Sequence, residues 1–139
     1  MKPGYRKFGT TADVGVVSFG TDMKDAFARQ AAGMFSVMTD MRGLRPVLSF
    51  EVEAEGGDYE SLLVAWLNEL LYLRDTKGVL LCRFEIIALD EHRLKASVFG
   101  EEIAFARHVI KAEVKAVTYH MLLVEETGGG VRTRVVYDI

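Results

Sequence analysis

Both helical patterns in this sequence lie in its first 78 residues, and strand-like patterns follow them, with a less regular stretch over 100–111. Apolar residues recur at helical spacing over 22–39 and again over 59–75. Between these two stretches, residues 47–55 alternate apolar and polar side chains, which is typical of a half-buried strand. Consecutive strands without intervening helices favour antiparallel pairing. The order therefore predicts an α+β fold, a mainly antiparallel sheet with two helices packed on one face, whose other strands cover 13–19, 79–89, 94–99, 115–126 and 131–138.

Length and charge limit the class of protein. The 139 residues fit a single domain, and the one cysteine, Cys82, excludes an internal disulfide. The net charge is −3, and no cluster of Lys and Arg is present, which disfavours direct binding to RNA phosphates. No apolar run approaches the ~20 residues that cross a bilayer, and the first residues lack the apolar segment of a signal peptide. We therefore expect a cytoplasmic protein without membrane contact.

Common catalytic and nucleotide-binding patterns are missing from the sequence. His92, His108 and His120 have no metal-ligand spacing. His92, in a polar turn, is interpreted as solvated, whereas His108 and His120 could be functional or could have a structural hydrogen-bonding role. The glycines at 128–130 lie between two strand patterns and predict a hairpin turn, because a phosphate-binding loop would open a helix. Gly15 within a strand pattern predicts a bulge or a close backbone approach. The sequence shows no nucleophile–base pair, so we expect that this protein is not an enzyme.

Two carboxylates stand out by their context. Asp13 begins an apolar strand pattern, and Asp138 ends an alternating one, next to Ile139. Each aspartate taken alone is ordinary, and a structural role is the simpler interpretation. Their separation in sequence cannot place them together, so only the fold can decide whether they form one site.

Four segments resemble the archease family, in register over essentially the whole chain. The first is Thr11-Ala12-Asp13-Val14-Gly15, which resembles the Thr-Ala-Asp-Val-Gly signature of that family. The strongest are the 113–120 octapeptide, Glu-Val-Lys-Ala-Val-Thr-Tyr-His, and the final Asp138-Ile139. The stretch 66–73, Trp-Leu-Asn-Glu-Leu-Leu-Tyr-Leu, is similar to the second helix of the family.

Two segments depart from the archease pattern. Archeases usually carry a histidine just before Thr-Ala-Asp, and this chain has Thr10 there. The loop before His108, usually acidic and proline-containing, reads Ile103-Ala104-Phe105-Ala106. Neither departure removes the residues to which the resemblance assigns a function.

The resemblance implies a non-catalytic activator of an RNA ligase. Archeases promote guanylylation and multiple turnover of the GTP-dependent ligase of tRNA splicing, which joins a 5′-hydroxyl end to a 3′-phosphate or 2′,3′-cyclic phosphate end. By the same resemblance, Asp13 and Asp138 bind a divalent cation together with the terminal carboxylate, here that of Ile139, and Lys115 is required for activation. Oxygen ligands suit Ca²⁺, with Mg²⁺ as the alternative. RNA would then be contacted only through the ligase.

Two other functions stay open from the sequence. The chain could be a chaperone-like modulator of another tRNA-processing enzyme, such as a tRNA methyltransferase, and its effects would then not depend on Asp13 or Asp138. It could also be a metal-dependent phosphohydrolase, against which the lack of a general base counts.

Overall fold

Two helices and two antiparallel sheets make up the described part of the chain. The computed structural model describes residues 2–9 and 12–139. The helices are α1 (Met23–Met38) and α2 (Tyr59–Lys77), and a short 3-10 helix covers Met41–Gly43. The strands are β1 (Gly4–Gly9), β2 (Asp13–Gly20), β3 (Leu48–Glu55), β4 (Val79–Leu89), β5 (Arg93–Glu102), β6 (Ala116–Val117), β7 (Leu123–Thr127) and β8 (Gly130–Asp138).

The strands divide into two sheets. The larger one has the order β1-β2-β8-β6, with β7 also paired to β8, and the smaller one has the order β3-β5-β4. Every pairing between these strands is antiparallel. The predicted α+β class is therefore confirmed. The strands form two sheets where the sequence suggested one, and α1 contacts both, packing on β2 and β8 and also on β4.

More of α1 is buried than the apolar residues at helical spacing over 22–39 indicated, because α1 contacts both sheets. Met34 and Phe35 are fully buried, but so is the polar Gln30, and Gly33 and Ser36 are buried as well. The fully buried Trp66 of α2 donates its indole N–H to the Phe27 carbonyl of α1, at 3.1 Å. The helices thus share one core between the sheets.

Local capping residues fix the ends of the two helices, which lie close to the predicted ranges 22–39 and 59–75. The side chain of Asp22 accepts a hydrogen bond from the Asp25 backbone N–H and so caps α1. Asp58 and Ser61 form a reciprocal capping box at the start of α2. Gly78, with φ of 64°, closes α2 in the left-handed conformation that glycine adopts without strain.

The structure differs from the predicted strands in two places. Strand β1 was not predicted, because its charged, glycine-flanked sequence has little apolar content; it forms by pairing along its whole length with β2, at the edge of the larger sheet. The predicted strand over 115–126 is broken into β6 and β7 by the turn at 118–122, where Met121 has φ of 56°. The hairpin at Gly128 and Gly129 is as predicted.

Neither helix is both long enough and apolar enough to span a membrane in the parts of the chain that the structure covers.

Candidate functional site

The two aspartates singled out from the sequence lie opposite each other in the larger sheet. Asp13 begins β2, Asp138 ends β8, and the two are register partners in the β2–β8 pair. Directly opposite residues have Cβ atoms about 4.5–5.5 Å apart and side chains on the same face. On its other side Asp138 pairs with Ala116 of β6. The fold therefore brings the two carboxylates together.

An open pocket surrounds the pair. Ala116 contributes only a methyl group, so it leaves the carboxylates accessible. The side chain of Asp138 is exposed, and that of Asp13 is half-buried. The lining residues are Ala12, Asp13, Ala116, Thr118, His120, Val136 and Asp138.

The charges at this site suit a divalent cation. Like charges directly opposite each other in a sheet are destabilising, and a cation between Asp13 and Asp138 would replace that repulsion with attraction. Carboxylate oxygens are the ligands that Ca²⁺ and Mg²⁺ prefer. Among the described residues, no cluster of three or more His, Cys, Asp or Glu side chains is arranged to hold an ion. The pair therefore supplies two donors, and further ones must come from the main chain, a ligand or solvent. Ile139 follows Asp138 and packs against the core.

Lys115 touches the site through its backbone. Its N–H donates to the Asp138 carbonyl at 2.8 Å, which ties the segment before β6 to the end of β8. The side chain is exposed, and in the portion of the chain described it forms no ion pair. Its predicted role in activation stays a prediction.

The glycine of the Thr-Ala-Asp-Val-Gly segment has a local explanation. A Cβ added to Gly15 would lie 2.1 Å from Cζ of Phe8, the residue opposite it on β1. The ring of Phe8 therefore covers Gly15. The strand is in regular register here, so the predicted bulge is wrong and the close approach is made by a side chain. Thr10 and Thr11 lie outside the described residues.

A buried polar network holds β2 and β8 beneath the site. The amide nitrogen of Gln30 donates to the Val16 carbonyl at 3.0 Å and to the Thr133 hydroxyl at 2.8 Å. Its amide oxygen accepts from the Tyr137 hydroxyl at 2.8 Å, and Ser18 and Thr133 share a hydrogen bond of 2.6 Å. Burial raises the pKa of Tyr137 well above its usual value, so the hydroxyl stays a donor. Sequence reasoning missed this network; the signal was a glutamine inside the apolar stripe of α1.

His120 lines the pocket of the two aspartates, but His92 and His108 do not. His92 is exposed in the β4–β5 turn, as expected. His108 is buried; its Nδ1 accepts from the Ala104 N–H at 2.9 Å, and its Nε2 faces Glu101 at 3.4 Å. Arg107 and the Arg45 backbone N–H also bind the Glu101 carboxylate. His108 is therefore structural and fastens the loop after β5.

Glu101 makes stability depend on pH. Burial alone raises the pKa of Glu101, but hydrogen bonds from Arg107, the Arg45 backbone and His108 outweigh it and lower the pKa to about 2, from 4.5. A depressed folded-state pKa stabilises the fold above the unfolded pKa, and that contribution is lost as pH falls from about 4.5 to about 2.

Replacing Glu101 with glutamine is expected to lower the free energy of unfolding by about 1.5 kcal/mol at pH 7, the typical value of hydrogen bonds to a charged group. The difference from wild type should shrink as pH falls through that window. Urea unfolding at several pH values measures it, with Glu102→Gln, a change at the exposed neighbour, as the control. A difference that stays constant down to pH 2 would contradict the assignment.

An α+β domain of two antiparallel sheets and two helices, with paired carboxylates at the start of β2 and the end of β8, defines the structural class. Residues 5–139 match the model of the archease protein family (MTH1598/TM1083). The archease of Thermococcus gammatolerans is 41% identical over 129 residues, covering 91% of each chain. That of Sulfolobus acidocaldarius is 35% identical over 136 residues, covering 97% of this chain and 98% of the relative. This chain belongs to the archease family.

Solved structures agree with this assignment. The solution structure of protein 1598 from Methanobacterium thermoautotrophicum superposes with a TM-score of 0.82, at 36% identity, covering 98% of this chain and 99% of that one. An archease from Thermotoga maritima, described as a possible chaperone, has a TM-score of 0.63 over 96% of each chain. At 20% identity the second structure supports the fold alone.

Proposed function

We propose that this protein activates the GTP-dependent RNA ligase of tRNA splicing, which joins 5′-hydroxyl to 3′-phosphate or 2′,3′-cyclic phosphate RNA ends. It does so without being an enzyme itself, by promoting guanylylation of the ligase and its multiple turnover. The observation that carries the proposal is the register pairing of Asp13 with Asp138. Membership of the archease family supports it.

A divalent cation, Ca²⁺ or else Mg²⁺, belongs to the proposed mechanism. Asp13 and Asp138 would hold it, and the terminal carboxylate, that of Ile139, would add a third oxygen donor. When bound, the cation supplies concentrated positive charge that can contact an anionic group of the partner's active site. The chain's own residues provide the frame: β2 and β8 present the carboxylates, and the Lys115 N–H holds the end of β8.

The proposal is tested by following RNA joining by the cognate ligase at substrate excess, with and without this protein. Several turnovers per ligase with the protein, and about one without it, are expected. Equal turnover in both reactions would sink the proposal. The protein alone, incubated with RNA and GTP, controls for ligation of its own.

Lys115 is expected to be needed for activation but not for folding. Its exposed side chain makes Lys115→Ala a change of less than ~0.5 kcal/mol in unfolding free energy. In the activated reaction we expect at least a ~tenfold slower single-turnover guanylylation, about 1.4 kcal/mol at the barrier. Lys115→Arg should restore only part of the rate, because a guanidinium does not replace a compact ammonium.

Wild-type guanylylation by a well-folded Lys115→Ala protein would return Lys115 to the class of solvated lysines. Lys95→Ala is the control, because Lys95 is an exposed lysine on β5 of the smaller sheet, which carries neither aspartate.

A second function, a chaperone-like modulator of another tRNA-processing enzyme, is favoured by one surface feature. The segment after β5 exposes Phe105 (80%), Val109 (58%) and Ile110 (47%), and Phe105 and Ile110 line a groove that has both apolar and charged side chains. On this alternative, Phe105→Ser impairs suppression of client aggregation while Asp138→Asn does not. Under the ligase proposal, Asp138→Asn lowers ligase turnover and Phe105→Ser does not.

A further inference from the structure

The turn at 118–122 carries a histidine to the rim of the acidic pocket. This segment joins β6 to β7, and its residues Thr118 and His120 line the pocket together with Asp13 and Asp138. The side chain of His120 is exposed.

Strand β8, which carries Asp138, also holds this turn. Both the N–H and the hydroxyl of Thr118 donate to the Val136 carbonyl, at 3.1 and 2.7 Å. The Arg134 Nε–H donates to the Met121 carbonyl at 2.7 Å. Because side chains alternate along a strand, Arg134 and Val136 lie on the same face as Asp138. Hydrogen bonds from two points of β8 therefore fasten the turn on both sides of His120.

The backbone of the turn is strained. Met121 has φ of 56°, and it is the one non-glycine with positive φ among the residues described. A bulky L residue rarely adopts this conformation, and such strain persists where the surroundings over-determine it, often at binding sites. Here the Arg134–Met121 hydrogen bond supplies the constraint directly after His120.

His120 does not complete a ligand cluster with the two aspartates. No group of three or more His, Cys, Asp or Glu side chains in the described ranges, 2–9 and 12–139, can hold an ion. His120 lines the same pocket as Asp13 and Asp138, which places it beside any group that a cation between them would bind.

We propose that the pocket binds a phosphate group through a divalent cation on Asp13 and Asp138, that His120 donates a hydrogen bond to a phosphate oxygen, and that Arg134 and Met121 position it. This inference rests on the proposed cation site and names the class of its ligand.

Phosphate fits the donors that the pocket offers. Mg²⁺ is typically held by one or two carboxylates together with substrate phosphates. The Thr118 hydroxyl is already committed to the Val136 carbonyl, so the imidazole N–H is the donor that lies at the rim. Without a cation, two carboxylates repel a phosphate. Phosphate binding is therefore strictly dependent on the cation.

The experiment titrates a nucleoside 3′-monophosphate into the protein with and without Mg²⁺, by calorimetry and ³¹P NMR, and measures Mg²⁺ affinity separately. Wild type should bind the nucleotide only with Mg²⁺. His120→Ala should weaken nucleotide binding about tenfold, the loss expected for one hydrogen bond to a charged group, and change Mg²⁺ affinity less than about twofold. His92 is also exposed but does not line the pocket, so His92→Ala should change neither the nucleotide affinity nor the Mg²⁺ affinity.

A pair of variants tests the positioning of His120. Met121→Asn introduces a residue that adopts positive φ more readily than most. Met121→Val introduces a β-branched residue, for which positive φ is strongly unfavourable. The valine variant should weaken nucleotide binding and abolish the nucleotide-induced shift of the His120 imidazole resonances, while the asparagine variant should retain both.

The outcomes separate the two proposals. Mg²⁺ binding without nucleotide binding in wild type overturns this inference and leaves the cation site standing. Full nucleotide affinity in His120→Ala also overturns it, as does a large loss of Mg²⁺ affinity, which would make His120 a ligand. Absence of Mg²⁺ and Ca²⁺ binding in wild type removes the cation site and this inference together.

Discussion

Replacing Asp138 with asparagine is expected to raise the stability of the cation-free protein and to abolish its stabilisation by cations. Without a cation, neutralising one of two opposed charges should add about 0.2–1 kcal/mol to the unfolding free energy. With a cation at ~1,000 times its dissociation constant, the wild type should gain about 4 kcal/mol, because only the folded state binds. The variant should gain almost nothing.

Urea unfolding in a chelator, in Ca²⁺ and in Mg²⁺ measures both effects. Asp13→Asn should likewise abolish the stabilisation by cations, since either change leaves a single carboxylate. Glu91→Gln removes an exposed carboxylate in the β4–β5 turn and should leave the cation response intact. An Asp138→Asn protein that still gains several kcal/mol from the cation would contradict the site.

Replacing Gln30 with methionine is expected to lower the unfolding free energy by about 3 kcal/mol. Methionine fills a similar volume, but it leaves the Val16 carbonyl and the Tyr137 hydroxyl without their buried partner. Each buried polar group that loses its hydrogen bond costs about 1–3 kcal/mol. Thermal and urea unfolding give the value, and cation affinity reports how far the strands shift.

The double variant Gln30→Met with Tyr137→Phe sharpens that measurement. Tyr137→Phe alone leaves the Gln30 amide oxygen unpaired, whereas the double variant removes both partners of one hydrogen bond. Its cost should therefore fall below the sum of the two single costs by about 1 kcal/mol, as for residues in one network. Strict additivity would mean that the two side chains do not interact.

Local signals in the sequence were sufficient for the helices and for the class of fold. Asp22, Asp58 and Gly78 mark helix ends through contacts within a few residues, so their chemistry can be interpreted without the rest of the chain. The alternation over 47–55 predicted β3 for the same reason. Antiparallel pairing followed from the absence of helices between the later strands.

Features that depend on distant contacts could not be predicted in this way. The charged strand β1 exists because β2 offers a complete set of hydrogen-bond partners. The strands divide into two sheets and α1 contacts both, which the single apolar stripe of α1 in the sequence does not reveal.

The candidate site also combines features that the sequence indicated with features that depend on distant contacts. The resemblance selected Asp13 and Asp138, but their meeting depends on the β2–β8 register. The sequence left His120 open between a functional and a structural role, because its place at the pocket depends on the hydrogen bond from Arg134 to Met121, thirteen positions apart.

The most direct test of the account is the single-turnover rate of ligase guanylylation with wild type, Asp13→Asn and Asp138→Asn, each in the same excess of Mg²⁺ and confirmed folded by thermal melting. The account predicts a strong acceleration by wild type and at least a ~tenfold smaller rate with either variant, equivalent to about 1.4 kcal/mol at the barrier. Equal acceleration by all three proteins would contradict it.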